Sequence, residues 1–388
     1  MRRVIKYLVV LVCGILATSC DHKVTMGTII NEDGTCHREI VVELDKSATC
    51  VDRHNVGESM CVDSTWEACC VVQGEMESFS LPISAERYRE LREKYPDKRF
   101  YVRYWRDFET VGEMCDAMPF VMGGRRVEVR GELTKRAKWL FFTEYTYREV
   151  YSSIESLFSL PLERYMTKED AQIWTTGKVT RVTEDGREEV KEFFEGMGGY
   201  EVKDRLDEIE AKVNLWLSAN VVYDLCELIL SDYDNIEGTP ISKEEFMRVR
   251  DEMVKGVREL KGSIEEFGEE LERYVDSRVY VEYLGREDES REKGAGRRAI
   301  SDKVFDKFFQ VHDMMIDYNL KMPGELVSVG MGEERDGVAV YRVTGERLVP
   351  GTYEVLVSSQ KINLVAVFGA LIVLVVGSTI GIRFKRRR

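Results

Sequence analysis

Apolar residues are distributed along this chain in three different patterns, and each predicts a different kind of element. Between residues 24 and 150 they alternate with polar ones, the two-residue period of a strand with one buried face. Residues 24–30 and 39–44 are such runs, joined through Asn31-Glu32-Asp33-Gly34, a hairpin-type turn. Further strands follow at 99–108, 126–133 and 139–150, the first with Phe100, Val102 and Tyr104 opposed to Arg99 and Arg103. One helix interrupts them. Over 85–95, Tyr88, Leu91 and Tyr95 fall at helical spacing, with Ser84 as a cap and Pro96 as a stop.

The period then lengthens. After Gly198-Gly199, Val202, Leu206, Ile209, Val213, Trp216 and Tyr223 step by threes and fours. A second helix opens at Ser242-x-x-Glu245, a capping box, and continues through Phe246, Val249, Met253, Val257, Leu260, Ile264, Phe267 and Leu271. Gly238-Thr239-Pro240 separates the two, which predicts an antiparallel helical hairpin. A third helix is expected over 300–320, after a charged, glycine-containing loop at 285–298. Beyond Pro323 the two-residue period returns at 326–329, 338–343 and 353–358. A small hairpin is expected around Asp185-Gly186.

The third pattern is no period at all. Tyr7 to Leu16 is an apolar run behind Arg2, Arg3 and Lys6, followed by small residues and Cys20, the layout of a secretory signal too short to span a bilayer. Leu16-Ala17-Thr18-Ser19-Cys20 resembles a bacterial lipobox, although Ala17 stands where a large aliphatic residue is commonest; Ala17-x-Ser19 equally satisfies an ordinary signal-peptidase site. Cys20 is the expected lipidation site. From Ile362 to Ile382, 21 residues carry no charge. As a helix they extend about 31 Å, which matches a hydrocarbon core. The tail Arg383, Lys385, Arg386, Arg387 and Arg388 belongs in the cytoplasm by the positive-inside bias, with the bulk of the chain outside.

These patterns predict an α+β fold. A mostly antiparallel, membrane-proximal sheet is built from N- and C-terminal segments, 24–44 pairing with 326–358, and a long helical hairpin is inserted between them. The expected divisions are a signal peptide (1–19), an N-terminal part of the α+β domain (20–150), a connecting segment with a small hairpin (151–199), a helical insertion (200–322), C-terminal strands (323–360), and a transmembrane helix with its tail (361–388). With both ends anchored, the ectodomain forms a closed loop on one bilayer surface.

Charge narrows the partners. The chain carries −14; setting aside the three cations of the signal and the five of the tail leaves −22 for the stretch between. Such a surface repels nucleic-acid phosphates and anionic headgroups alike, so nucleic acid is excluded as a partner. Nine cysteines occur. Cys13 leaves with the signal and Cys20 takes the lipid, leaving Cys36, Cys50, Cys61, Cys69, Cys70, Cys115 and Cys226. The series Cys50-x3-His54-x6-Cys61-x7-Cys69-Cys70 admits three readings: a metal site, one or two disulfides, or unpaired buried thiols. It lacks the Cys-x2-Cys pairs from which zinc sites usually start.

The two chain ends resemble the LppM-like family of bacterial envelope proteins. The likeness rests on the lipobox-type signal, on Met26-Gly27-Thr28-Ile29-Ile30-Asn31-Glu32-Asp33-Gly34, on Met322-Pro323-Gly324-Glu325-Leu326-Val327-Ser328, and on the terminal apolar helix with its basic tail. It covers about a third of the residues. Gly330-Met331-Gly332 stands where the family has Asn-Gly, and the helical middle is much longer. The resemblance implies a split β-domain at a membrane and carries over no catalytic residues.

No nucleophile elbow, phosphate loop, His-Glu-x-x-His or dinucleotide glycine pattern occurs. Glu144 and Glu149 read as ordinary members of a set of 70 carboxylates. His312, beside Asp313, reads as helix surface. The expectation is a non-enzymatic envelope scaffold without cofactor, metal or small-molecule substrate. Its partners would be the lipid bilayer and, through the helical insertion, another envelope protein or itself. A periplasmic ligand or redox sensor coupled to a membrane partner is the alternative.

Overall fold

A computed structural model describes residues 24–45, 48–53, 60–138, 141–183, 185–194, 196–235, 241–258, 306–364, 366–370 and 372. Its strands are β1 (Val24–Ile30), β2 (Cys36–Glu43), β3 (Glu67–Val72), β4 (Ser78–Ser80), β5 (Phe100–Phe108), β6 (Val121–Met122), β7 (Arg125–Arg126), β8 (Val129–Lys138), β9 (Phe142–Tyr151), β10 (Lys178–Val182), β11 (Glu188–Glu192), β12 (Met315–Lys321), β13 (Glu325–Ser328), β14 (Glu333–Arg335), β15 (Val338–Thr344) and β16 (Tyr353–Ile362). The helices are α1 (Ala85–Lys94), α2 (Val111–Asp116), α3 (Lys168–Thr176), α4 (Gly199–Asp232), α5 (Lys243–Arg258), α6 (residues 306–313) and α7 (Gly345–Leu348).

Eight strands form one sheet in the order β14-β15-β12-β1-β2-β5-β3-β4. All of its pairings are antiparallel except β1 with β12. A second sheet, β13-β16-β9-β8, packs against its inner face. Alternation decides what faces inward: Met26, Thr28 and Ile30 on β1, Ile316, Tyr318 and Leu320 on β12, Tyr353, Val355 and Val357 on β16. The outer face of the large sheet is solvated and carries ion pairs across neighbouring strands, Glu39 with Arg103 and Glu43 with Arg99. α1 closes one end of the inner face. Ser84 caps it by accepting from the Arg87 amide at 3.3 Å, and Tyr88 packs edge-on against Phe100 at 5.5 Å.

β1 reaches β15 in one sheet only through β12, a strand of the expected helical insertion, and 24–44 pair directly with none of 326–358. Two expectations are corrected. The third helix stops at residue 313, and 315–321 is strand. Phe308, Val311, Met315 and Tyr318 fit a helical period while Ile316, Tyr318 and Leu320 fit a strand period. Pairing with β1 on one side and β15 on the other supplies backbone partners to seven residues, and that settles it. The second correction concerns 326–328 and 353–362, which pair with each other and with β9 in the second sheet rather than with 24–44. β3 and β4 were not foreseen at all, because Cys69-Cys70-Val71-Val72 has no alternation. The expected hairpin at 178–192 is present, and so is the 168–176 helix that no period announced.

α4 and α5 run antiparallel, as Arg250 pairs with Glu227 while Phe246 stacks on Tyr233 at 5.4 Å. α4 joins two cores. Ile209, Val213 and Trp216 belong to the sheet core; Ala219, Cys226, Ile229 and Leu230 pack with Phe246, Met253 and Phe308. Gly238-Thr239-Pro240, the loop at 285–298 and the helical pattern beyond 258 lie outside the described residues.

α3, α4, α5, α6 and α7 gather at one pole of the sandwich. Gly345 opens α7 against α6, and a Cβ there would stand 2.1 Å from the Val311 carbonyl oxygen. Gly345→Ala is therefore expected to push α6 off the sheet end and to cost about 2–3 kcal/mol. Urea unfolding of the full chain in detergent, followed by tryptophan fluorescence, measures it; a loss below about 0.5 kcal/mol would mean that α6 is not seated there.

Candidate functional site

The inner face of β2 reads Cys36, Arg38, Ile40, Val42, and that of β9 reads Tyr145, Tyr147, Glu149, Tyr151. Each strand thus places one charge in an otherwise apolar row, and the two charges meet between the sheets. Arg38 Nη2 lies 3.1 Å from Glu149 Oε2, with both side chains 0% exposed. The pair is surrounded by donors and acceptors. Glu149 Oε2 also accepts from Tyr147 at 2.5 Å and Tyr318 at 2.7 Å, and Oε1 accepts from Tyr151 at 3.0 Å. Arg38 Nε donates to Thr28 at 2.9 Å and Nη1 points at the Met118 sulfur. Burial opposes the charge on Arg38, but the Glu149 carboxylate outweighs it and keeps the guanidinium ionised. Burial first, and the Glu149 charge second, push the three tyrosines well above their usual range, so their hydroxyls stay donors.

A pair with no solvent access meets no substrate. Its role is to tie four strands from two sheets at one point. Glu149, passed over in the sequence as one carboxylate among many, is thus the most consequential acid of the fold. The legible signal was its place in an aromatic row, Tyr-x-Tyr-x-Glu-x-Tyr, and likewise Arg38 among Cys36, Ile40 and Val42.

The cysteine series separates. Cys69 and Cys70 sit within β3, Cys50 and Cys61 in connecting segments, and Cys36, Cys61, Cys69, Cys70, Cys115 and Cys226 are free thiols. Burial pushes Cys36 up to about 11 and Cys70 up to about 12, which keeps both protonated and poor nucleophiles. Among the described residues no group of three or more histidine, cysteine or acidic side chains is placed to hold a metal. Cys20, His22 and His54 lie outside them. His312 faces Glu346 at 3.5 Å; that hydrogen bond raises it above the ordinary histidine range against the effect of burial, and it ties α6 to α7.

A further acid holds the helical pole. Asp170 caps α3 through Thr167 and receives Arg205 and Lys212 from α4. Burial alone would raise its carboxyl; hydrogen bonds from Lys212 and Thr167 and the two cations override that and hold it below the usual range. Two surface hollows lie nearby. One of about 260 Å³ lies between Leu160, Arg164 and Tyr165 on one side and Tyr223, Asp251, Val254 and Lys255 of the helical hairpin on the other. A second, of about 270 Å³, is rimmed by Arg125, Arg126, Glu128 and Ser152.

The opposite pole is where β16 leaves the fold. Ile362 is still paired with Phe142, Asn363 donates to the Phe141 carbonyl at 2.7 Å, and the chain turns at once into helix. Leu364, Phe368 and Ile372 of that helix are 60%, 62% and 63% exposed, so the fold's own core does not cover them. α4 is, among the described residues, the helix long and apolar enough to cross a bilayer, with a mean hydropathy of 1.3 over its most apolar window; half of that window is buried within the fold. No protein-family model, curated protein or solved structure matches this chain.

Removing either charge of the buried pair leaves the other without a partner. Arg38→Met or Glu149→Gln alone is expected to cost about 3–5 kcal/mol. The double variant Arg38→Met/Glu149→Gln keeps an oxygen acceptor for the tyrosines and is expected to recover at least about 2 kcal/mol of the summed loss. Urea denaturation of all four proteins checks this; strict additivity would show that the two side chains do not interact.

Proposed function

We propose that this protein is a non-enzymatic, membrane-tethered component of a bacterial cell envelope, acting as a scaffold through its helical insertion. The observation that carries the reading is the polar division of the molecule. An uncovered apolar helix leaves one end of the sandwich, and α4, α5 and α6 gather at the other. An anchored sandwich with its helices at the far pole holds them off the point where the apolar helix departs. The resemblance of the two chain ends to the LppM-like family supports the same reading. The alternative of a redox sensor draws little support from thiols that are mostly buried and held protonated.

Anchoring both ends sets a condition. Lys361 pairs with Glu32 of the β1–β2 turn, so the chain exits beside the end of β1, while Val24 lies at its start, level with Ile316. From Val24 to Ile30 the strand extends about 20 Å, and the four steps from Cys20 to Val24 reach at most about 14 Å. A lipid on Cys20 and a span beginning near residue 364 then touch one surface only if β1 leans at least about 45° from the membrane normal.

Cross-linking in intact cells, followed by mass spectrometry, tests the scaffold: cross-links from α4 and α5 to another protein or a second copy are expected at near-stoichiometric yield. Their absence, with cross-links concentrated elsewhere, would remove it. The tether is tested separately. Full-length protein is expected to resist alkaline carbonate extraction, and Cys20→Ser to abolish palmitate incorporation without releasing the protein. Extraction of the unaltered chain, or palmitate retained by Cys20→Ser, would overturn the corresponding anchor.

A further inference from the structure

The acidic ectodomain poses a problem for a protein held against a bilayer, since a charge of −22 is repelled by anionic headgroups. The exit pole is built differently. The β8–β9 hairpin turns beside the point where β16 ends, with Phe142 opposite Ile362 and the Phe141 carbonyl bonded to the Asn363 amide. From Leu133 to Thr143 the hairpin carries Lys135, Arg136 and Lys138 and no acidic residue. Lys135 and Arg136 are exposed, as is Phe141 at the turn. Lys135 also donates to the Glu32 carbonyl at 3.0 Å, and Lys361 neutralises the Glu32 side chain. Glu144 stands opposite Arg136 across the hairpin, Glu325 opens β13, Glu333 and Glu334 lie on β14, and Asp33 and Asp336 lie on turns.

We infer that the β8–β9 hairpin, with Lys135, Arg136 and Phe141, is a second membrane contact that seats against the anionic headgroup layer beside the apolar helix. The inference rests on the tethered reading above. If the helix enters the bilayer after Asn363, the main-chain bond to Phe141 brings the hairpin to the interface, where aromatic rings and cations are each favoured. The same contact selects an orientation. The cationic hairpin turns toward the lipid while the acidic β14–β15 turn faces away, and the β1–β2 turn, bonded to Lys135 and Lys361 through Glu32, sits beside the contact.

The test uses the full chain in vesicles of phosphatidylcholine, with and without phosphatidylglycerol, containing a headgroup-attached photocross-linker mapped by mass spectrometry. Peptides covering 133–143 are expected to label far more densely than those of α1 or α5, and more with phosphatidylglycerol than without. Arg136→Glu is expected to lower hairpin labelling roughly five-fold or more in the anionic vesicles. Its circular dichroism should be unchanged. Labelling confined to 362–372, with the hairpin no different from α5, would overturn the contact while leaving the tether standing. So would hairpin labelling indifferent to both phosphatidylglycerol and Arg136→Glu, since that denies headgroup recognition. Release of the unaltered chain by carbonate, with neither region labelled, would overturn the tether and this contact together.

Discussion

The two sheets of this protein are held in register by an ion pair in a place where ions are expensive. Desolvating Arg38 and Glu149 costs several kcal/mol for each, and their mutual attraction offsets this only because no nitrogen or oxygen of the pair is left without a partner. Thr28, Tyr147, Tyr151 and Tyr318 supply those partners from β1, β9 and β12. Four strands, two from the first forty-odd residues, one from the middle and one from beyond residue 314, must be aligned before the pair is satisfied. An apolar core tolerates sliding by a residue pair; a fully hydrogen-bonded buried charge does not. The parallel β1–β12 pairing, which closes the chain across nearly 300 residues, is thus specified by a polar contact as well as by burial.

That closure has a consequence for how the molecule is organised. With β12, β15 and β16 returned to the sheets, everything between β9 and β12 must leave and re-enter at the same end of the sandwich. The helices are gathered there, held by Asp170 against Arg205 and Lys212 and by Lys307 against Asp224. The other end is left to turns, to the β8–β9 hairpin and to the departing apolar helix. Two poles with different chemistry follow from one topological fact, and the scaffold reading depends on that difference rather than on any reactive group.

Much of the architecture was legible along the chain. The β1–β2 hairpin, α1 with its Ser84 cap, β5, the 178–192 hairpin and the α4–α5 pair were all read from period and capping residues, because these signals are local. What escaped was non-local. β12 carries both periods at once; β3, with paired cysteines, carries neither; and β16 takes β9 as its neighbour although the strands nearest in pattern are elsewhere. Glu149 is the sharpest case. Among 70 acidic residues its identity says nothing, and only its row of tyrosines separates it from Glu144.

By itself the sequence determined the α+β composition, the helical pair, the acidity of the chain and the apolar run at its C-terminal end, since each depends on residue type and spacing within a few turns of chain. Tertiary structure alone decided which strands share a sheet, that Arg38 meets Glu149, that the cysteine series disperses, and that the first described strand begins at the pole opposite the exit of the last. Those outcomes depend on distances between residues far apart in the chain, and no local period encodes them.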